Sequence, residues 1–383
     1  MIYGTPSLAE DLQARLSELE ELRRQLGRET ASPSPWIGTL RRQVRAASVE
    51  SSVSIEGFEL PAGEVESVFA GAASGVEESD ENRLAVASYA RAMDHVGVMA
   101  LDPVFEWSDR VILDLHFDAC YFQRDKSPGH WRTGPIGVTA PDGTLAYQAP
   151  DAEQVVPLMG EVVEWLRVTD PAEHVVVRAA MAHLHVVSVH PFRDGNGRVS
   201  RIVQSLVLAR DGLLSPEFGS IEEYLASHTP QYYAVLQEVQ GGHYQPTRDA
   251  TPWIAFCIDA HLDQARQRLR QVETASARWR YLERLVQDRG WPDRLVIALE
   301  QSLIGGADRS SYETEADVSP ATASADFRRL LDAGLVSQRG RGPTTRYHAS
   351  ENLRSELDDA VEDHPDWIDP SIDPASRPSG DST

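Results

Sequence analysis

The chain has 383 residues, 41% of them hydrophobic and 25% charged, with a formal net charge of −23. That length supports a sizeable core and two or three domains; the composition is that of a soluble globular protein, and the acidic balance excludes a surface that coats nucleic acid as a whole. No apolar run approaches bilayer-spanning length and the N-terminus turns acidic at once, so a cytoplasmic location without a membrane partner is expected.

In chain order, Leu8, Leu12, Leu16, Leu19, Leu22 and Leu26 recur at helical spacing, which predicts an amphipathic helix over 7–27 closed by Gly27. The stretch "ASPSPW" breaks the chain, and a second helix is expected from about Thr39 to Glu56, ending at Gly57. The acidic connector "GAASGVEESDEN" reads as a surface loop ahead of helical segments near 83–100 and 108–123. The period then changes: Ile136-Gly137-Val138 and Leu145-Ala146-Tyr147 flank Pro141-Asp142-Gly143, the turn chemistry of a short β-hairpin. Helices are predicted at 152–166, 171–187, 221–241 and 251–274. Cys120 and Cys257 lie far apart without metal-like spacing and are expected to be buried apolar side chains.

Between two of these helices lies "HPFRDGNGRVSR", residues 190–201. Val199, Ile202, Val203, Leu206 and Val207 form a helical apolar face, so a helix starts inside the stretch. Its first turn carries unpaired N–H groups and the positive end of the macrodipole, and Gly195 and Gly197 let a ligand approach the backbone closely. Arg198 and Arg201 sit on neighbouring positions of that helix, where both guanidinium groups reach one polyphosphate. Asp194 is an oxygen ligand placed for magnesium on the same phosphates, and His190 suits a general base. A glycine-rich turn alone is only a turn; the combination of base, acid, amide and two arginines in register is what points to nucleotide chemistry.

The stretch resembles the signature of the Fic (Fido) family. The similarity extends to "RAAMAHLHVVSV" before it and "EEYLASHTPQYYAVLQEV" after it. This resemblance implies a mainly α Fic-type domain with a β-hairpin flap, and transfer of AMP from ATP, with Mg2+, onto a hydroxyl of a target protein. It implies His190 as the base, Asp194 as the metal ligand, and Asn196 with the backbone of Gly195 and Gly197 on the α-phosphate. Arg198 and Arg201 would hold the β- and γ-phosphates, and Phe192 would anchor the loop. Tyr233 matches a tyrosine lining the adenine pocket, with a plain core tyrosine as the alternative. Ile136, Gly137 and Val138 match the target-binding flap, which takes an extended segment by strand addition. Val186 stands where many relatives carry an aromatic, a packing variation.

In "SSVSIEGF", Glu56 falls in the last turn of a helix before a capping glycine, where a carboxylate opposes the macrodipole at a cost of about 0.3–1 kcal/mol. The stretch resembles the family's inhibitory motif, matched by Ser52, Glu56 and Gly57, with Glu56 pairing to Arg201; a solvated glutamate at a frayed helix end is the alternative. An exposed ion pair contributes only about 0–1 kcal/mol, so strong inhibition requires Glu56 also to occupy space or charge needed by the γ-phosphate.

From about residue 290 the pattern is that of a separate module: helix, turn, helix, then a hairpin. Ser319-Pro320 starts a helix whose apolar side is Phe327, Leu330, Leu331 and Leu335. It resembles a winged helix-turn-helix. Residues 319–349 hold five arginines and two aspartates, a charge of +3 that allows DNA contact, with protein contact or homodimerisation as the alternative. Residues 351–383 carry ten acids against Arg354 and Arg377 and are expected to be a disordered tail.

The expected organisation is an N-terminal helical region with the inhibitory helix (1–75), a catalytic core (76–275), a winged helix (276–350) and the tail. The expected function is an autoinhibited, self-modifying protein adenylyltransferase. Removal of AMP, transfer of another nucleotide, and a nucleotide-sensing DNA-binding regulator are the alternatives.

Overall fold

The computed structural model describes residues 1–31, 34–60, 64–69, 80–139, 143–168 and 173–360. These fall into two compact units, Met1–Pro33 with Arg41–Leu269, and Ser34–Leu40 with Arg270–Thr383. Among the described residues no helix is long and apolar enough to cross a membrane.

The first unit opens with α1 (Glu10–Ala31) and α2 (Pro35–Ser54), the latter crossing into this unit at Arg41. Gly27 does not close α1, contrary to expectation. It lies within the helix, where a side chain would press on the Leu213 carbonyl 3.0 Å away, so its smallness serves close packing rather than termination. A short α3 (Glu64–Phe69) precedes α4 (Glu81–Leu101) and α5 (Asp109–Cys120), which are N-capped by the side chains of Asp80 and Ser108. The acidic connector expected as a loop lies outside the described residues except at its end, where α4 begins.

The hairpin forms as predicted, from β1 (Gly137–Thr139) and β2 (Leu145–Gln148), antiparallel with an irregularity after Val138. The expected turn residues Pro141 and Asp142 lie outside the described residues. On its other side β2 is bridged through Gln148 to His243, while the outer edge of β1 is open among the described residues.

Three helices then build the centre: α6 (Ala152–Arg167), α7 (Val175–Val189) and α8 (Asn196–Arg210). From Val176 onward nearly every residue of α7 is buried, as its apolar composition on all sides requires. Short α9 (Pro216–Gly219) and α10 (Glu222–Ser227) lead to α11 (Thr229–Gln240). The single helix expected over 221–241 is thus two, because Pro230 has no N–H to donate to the carbonyl four residues back and its ring clashes there, so it sits in the first turn of a new helix. Helix α12 (Thr251–Asp288) runs beyond its expected end at 274, since Leu282, Leu285 and Val286 continue the buried stripe and no glycine intervenes before Gly290.

In the second unit, α13 (Leu295–Leu303), α14 (Arg309–Glu315) and α15 (Pro320–Asp332) precede the antiparallel pair β3 (Val336–Arg339) and β4 (Arg346–Ala349). Ser319 caps α15 as expected, and Phe327 stacks on Tyr347 at 4.1 Å. Buried Asp326 accepts from Arg294 and Tyr312. The expected disordered tail is corrected at its start. Residues Glu351–Ala360 form α16, with Leu353 and Leu357 fully buried and Ser350 capping the first turn. Two leucines four positions apart suffice to dock one helical face, and an average over 33 residues, ten of them acidic and four prolyl, hid them. Residues 361–383 lie outside the described residues. Leu353→Ala and Leu357→Ala should each destabilise the protein by about 2–5 kcal/mol in thermal or urea unfolding; an effect under about 0.5 kcal/mol, typical of surface positions, would return the segment to a tail.

Candidate active site

The end of α7 creates the first functional element. His190 adopts a left-handed conformation (φ 51°, ψ 57°), uncommon for a residue with a side chain, and reverses the chain sharply. Buried Arg132 holds this turn: it donates to the carbonyls of His190 at 2.8 Å, Gly134 at 2.9 Å and Pro150 at 2.5 Å. Its backbone N–H donates to Pro191 at 2.9 Å. His190 Nδ1 donates to the Val187 carbonyl at 3.1 Å; a carbonyl only accepts, so Nδ1 carries the proton and Nε2 the lone pair. Burial pushes the imidazole down to about 4, with the Arg132 charge acting the same way, which keeps it neutral at physiological pH.

The loop that follows is pinned from two sides. Phe192 is fully buried and stacks on His116 at 3.7 Å. His116 Nδ1 accepts from the Gly129 N–H at 2.8 Å, so its Nε2–H donates to the Asp194 carbonyl at 3.0 Å. The Asn196 carboxamide spans the loop, accepting from the Phe192 N–H at 2.8 Å and donating to the Phe192 carbonyl at 2.9 Å. This side chain is therefore engaged in shaping the loop, and what Asn196 presents outward is its backbone N–H in the first turn of α8.

Gly195 caps α8 in the left-handed region (φ 77°), and a Cβ there would lie 2.3 Å from Cys120 Sγ. Both requirements exclude any other residue. Asp194 accepts from the Gly195 N–H at 2.6 Å and from Arg198 at 3.4 Å, yet its side chain remains 35% exposed, leaving oxygen surface for a cation. Arg198 and Arg201 are both almost wholly buried. Arg198 donates to Gln123 Oε1 at 2.7 Å and lies 5.5 Å from the ring centres of both Phe58 and Phe122. Arg198 Nε and Arg201 Nη1 are buried donors without a hydrogen-bond partner. Such orphans are costly unless a ligand satisfies them, and two on guanidinium groups beside a helix N-terminus describe a receptor for anionic oxygens.

The stretch "SSVSIEGF" meets this helix directly. After α2 the Gly57 N–H donates to the Ser54 carbonyl and the Phe58 N–H to the Val53 carbonyl, with Gly57 left-handed (φ 85°), which is a Schellman-type ending. That turn aims Glu56 at Arg201: Oε1 accepts from Nη2 at 2.8 Å. Ser52 adds its hydroxyl to Arg201 Nε at 2.8 Å and its carbonyl to Nη2 at 3.0 Å. Burial pushes the Glu56 carboxyl up, but Arg201 and then Arg198 outweigh it and hold the group below the usual carboxylate range. Burial likewise opposes the Arg201 charge, and Glu56 more than compensates, raising it. The pair is thus ionised throughout the neutral range. A Cβ on Gly197 would lie 2.5 Å from Glu56 Oε1, so the carboxylate sits against the opening turn of α8.

Tyr233 is 47% exposed, which removes the core-tyrosine alternative; its neighbour Tyr232 fills that place, its hydroxyl donating to His183 at 3.0 Å. The Tyr233 hydroxyl is raised mainly by burial and then by the charge of Glu56, and its ring lies 5.1 Å from that of Tyr232. Gly137 and Val138 lie in β1, and Ile136 precedes it with its carbonyl accepting from Ala149 and Gln148. Arg132, His116, Gln123 and Phe58 contribute to the site and were not singled out from the sequence. Each acts across the fold, and none carried a local motif.

The family model for Fic/DOC proteins matches residues 106–208. The chain is 32% identical over 140 residues to protein adenylyltransferase fic-1 of Caenorhabditis briggsae, covering 35% of this chain and 24% of that protein. It is 38% identical over 80 residues to a probable protein adenylyltransferase of Aquifex aeolicus, covering 21% and 25%. The matches thus span about a quarter of those relatives' lengths. A crystal structure of a Fic family protein from Desulfovibrio desulfuricans shares the fold with a TM-score of 0.59 at 19% identity, over 91% of this chain and 98% of that one. The left-handed histidine turn, the glycine-capped helix with its two buried arginines and these similarities converge on one resemblance: over residues 106–208 the chain is similar to the Fic/DOC family, and its fold is that of Fic proteins.

Proposed function

We propose that this protein transfers AMP from ATP to a hydroxyl of a target protein, modifies itself, and is held inactive by Glu56. The observation that carries the reading is the start of α8, where two buried guanidinium groups with orphaned donors flank free N–H groups and a carboxylate. In this reading the backbone of Gly195–Gly197 receives the α-phosphate, and Arg198 and Arg201 receive the β- and γ-phosphates. Asp194 fits a magnesium ion shared with phosphate oxygens, because Mg2+ commonly binds one or two carboxylates and substrate phosphates; when bound it would neutralise charge on the leaving group. His190 Nε2 takes the proton of the target hydroxyl as that oxygen bonds to the α-phosphorus. The bond to the bridging oxygen breaks and pyrophosphate leaves.

Glu56 opposes this in two ways. It neutralises Arg201, and it puts a negative charge against the helix start where the triphosphate must lie. Unlike an exposed pair, this one is hydrogen-bonded and largely removed from water, with Arg201 2% and Glu56 20% exposed, and breaking a buried pair costs about 3–5 kcal/mol. That is enough to slow turnover a hundredfold or more, at about 1.4 kcal/mol per factor of ten. Intact-mass measurement with each nucleoside triphosphate should show Glu56→Gly gaining at least about a hundredfold in AMP addition. It should also show the gain abolished in Glu56→Gly/His190→Ala; equal labelling of wild type and Glu56→Gly would remove the restraint. Glu56→Gly leaves Arg201 uncompensated, so its melting temperature should fall without ligand and recover with ATP and Mg2+.

Because the neutral imidazole is the active form, activity falls as pH drops through its pKa. The acid limb of kcat/KM, which reports the free enzyme, should lie below the 6.5 of an ordinary histidine, towards 4. A midpoint at or above 6.5 would contradict the assigned environment.

The second unit supports a separate reading, contact with DNA. Arg328 and Arg329 are exposed on α15 and Arg339 and Arg341 on the hairpin, whereas Arg346 is paired with Asp308. With four phosphate contacts, the logarithm of affinity for duplex DNA should fall with a slope of about −3 to −4 against the logarithm of salt. No binding by the full chain at low salt would eliminate the reading.

A further inference from the structure

Beside the flap runs an open groove of about 700 Å3, lined among others by Arg124, His130, Trp131, Pro135, Ile136 and Arg193. Its charge is opposite to that of the chain, which carries −23 overall. Arg193 stands in the signature between Phe192 and Asp194 and is exposed, and among the described residues no acid pairs with it. Arg124 is also exposed; it donates to the Tyr121 hydroxyl at 2.9 Å and lies 5.1 Å from that ring's centre, and among the described residues no carboxylate pairs with it. The buried Arg132 at the groove floor is bonded to neutral carbonyls. The acids nearby are Asp125, beside Lys126 at 3.7 Å, Asp194, bonded to the Gly195 N–H and reached by Arg198, and Asp151 and Glu153, whose charges act on Arg132.

Position gives the charge its meaning. Ile136 rims the groove and leads directly into β1, whose outer edge is open among the described residues. Arg193 follows His190 by three residues. An extended segment pairing with β1 and presenting a hydroxyl to His190 would therefore carry its neighbouring side chains over the groove. Arg198 and Arg201 face the nucleotide side, so the groove cations are not needed for phosphate binding.

We propose that this groove selects targets with Asp or Glu beside the acceptor hydroxyl, and that Arg193 and Arg124 are the specificity determinants. The inference rests on the adenylyl-transfer reading and adds the class of protein substrate. Two exposed ion pairs together support a preference of about tenfold.

The test uses full-length Glu56→Gly with ATP and Mg2+, and synthetic peptides that carry Ser, Thr and Tyr flanked by either Glu or Lys. Glu-flanked peptides should be modified with kcat/KM about tenfold higher, the difference lying in KM and shrinking with salt. Arg193→Glu/Arg124→Glu in the same background should invert the preference, whereas Arg193→Lys should keep it. Equal rates on both peptides, or equal loss on both in the charge-reversed variant, would overturn the proposal, as would intact self-labelling with neither peptide modified. Absence of all AMP transfer, self-labelling included, would instead defeat the reading beneath it.

Discussion

A buried arginine requires an anion, and at the start of α8 this fold supplies one from its own chain. Arg201 is almost wholly removed from water, and Glu56 at 2.8 Å is the carboxylate that keeps its charge affordable there. Much of the surrounding geometry follows from making that contact. The Schellman ending of α2 needs the left-handed Gly57 to turn Glu56 inward. Gly197 must lack a side chain for the carboxylate to come so close, and Ser52 accepts from Nε and adds a second acceptor on Nη2, leaving Nη1 without a partner. The same helix N-terminus and arginines that would grip a triphosphate are thereby held by an internal group of the same charge sign. In the proposed function, restraint and nucleotide binding compete for one set of donors.

The second constraint is preorganisation of the loop between α7 and α8. His190 is strained in φ, and such a conformation persists only when its surroundings determine it fully. Arg132 does so through three carbonyls, Asn196 through both polar atoms of the Phe192 backbone, and His116 through stacking and the Asp194 carbonyl. The tautomer of His190 is set by the same turn, since the Val187 carbonyl that accepts from Nδ1 belongs to the last turn of α7. In the proposed transfer, a base held this way is preorganised for the incoming hydroxyl.

Local signals were legible in the sequence. Period-3.6 apolar spacing located the helices around the motif, turn residues located the hairpin, and the spacing of His190, Asp194, Arg198 and Arg201 located a helix start, for which phosphate binding is the proposed role. What escaped is nonlocal or was averaged away. Arg132 and His116 lie 58 and 78 residues from the loop atoms they bind, and nothing in "WRTG" or "LHFD" marks a structural anchor. Gly27 carries the same letter as a helix stop, and only the approach of Leu213 distinguishes a packing glycine from a capping one. The α16 leucines disappeared into the acidic average of their neighbours. Asn196 illustrates a different limit: the motif places it correctly, while its side chain is turned to the loop rather than outward.

The claim beneath this account is that one helix start is the receptor for a triphosphate and that Glu56 stands in its place. Crystals of the Glu56→Gly variant soaked with ATP and Mg2+ test it most directly. The account predicts phosphate oxygens on Arg198 Nε and Arg201 Nη1, the donors left without partners, with His190 Nε2 facing the α-phosphorus. Nucleotide bound elsewhere, or a His190 ring turned away from the phosphates while Arg201 stays unliganded, would contradict it.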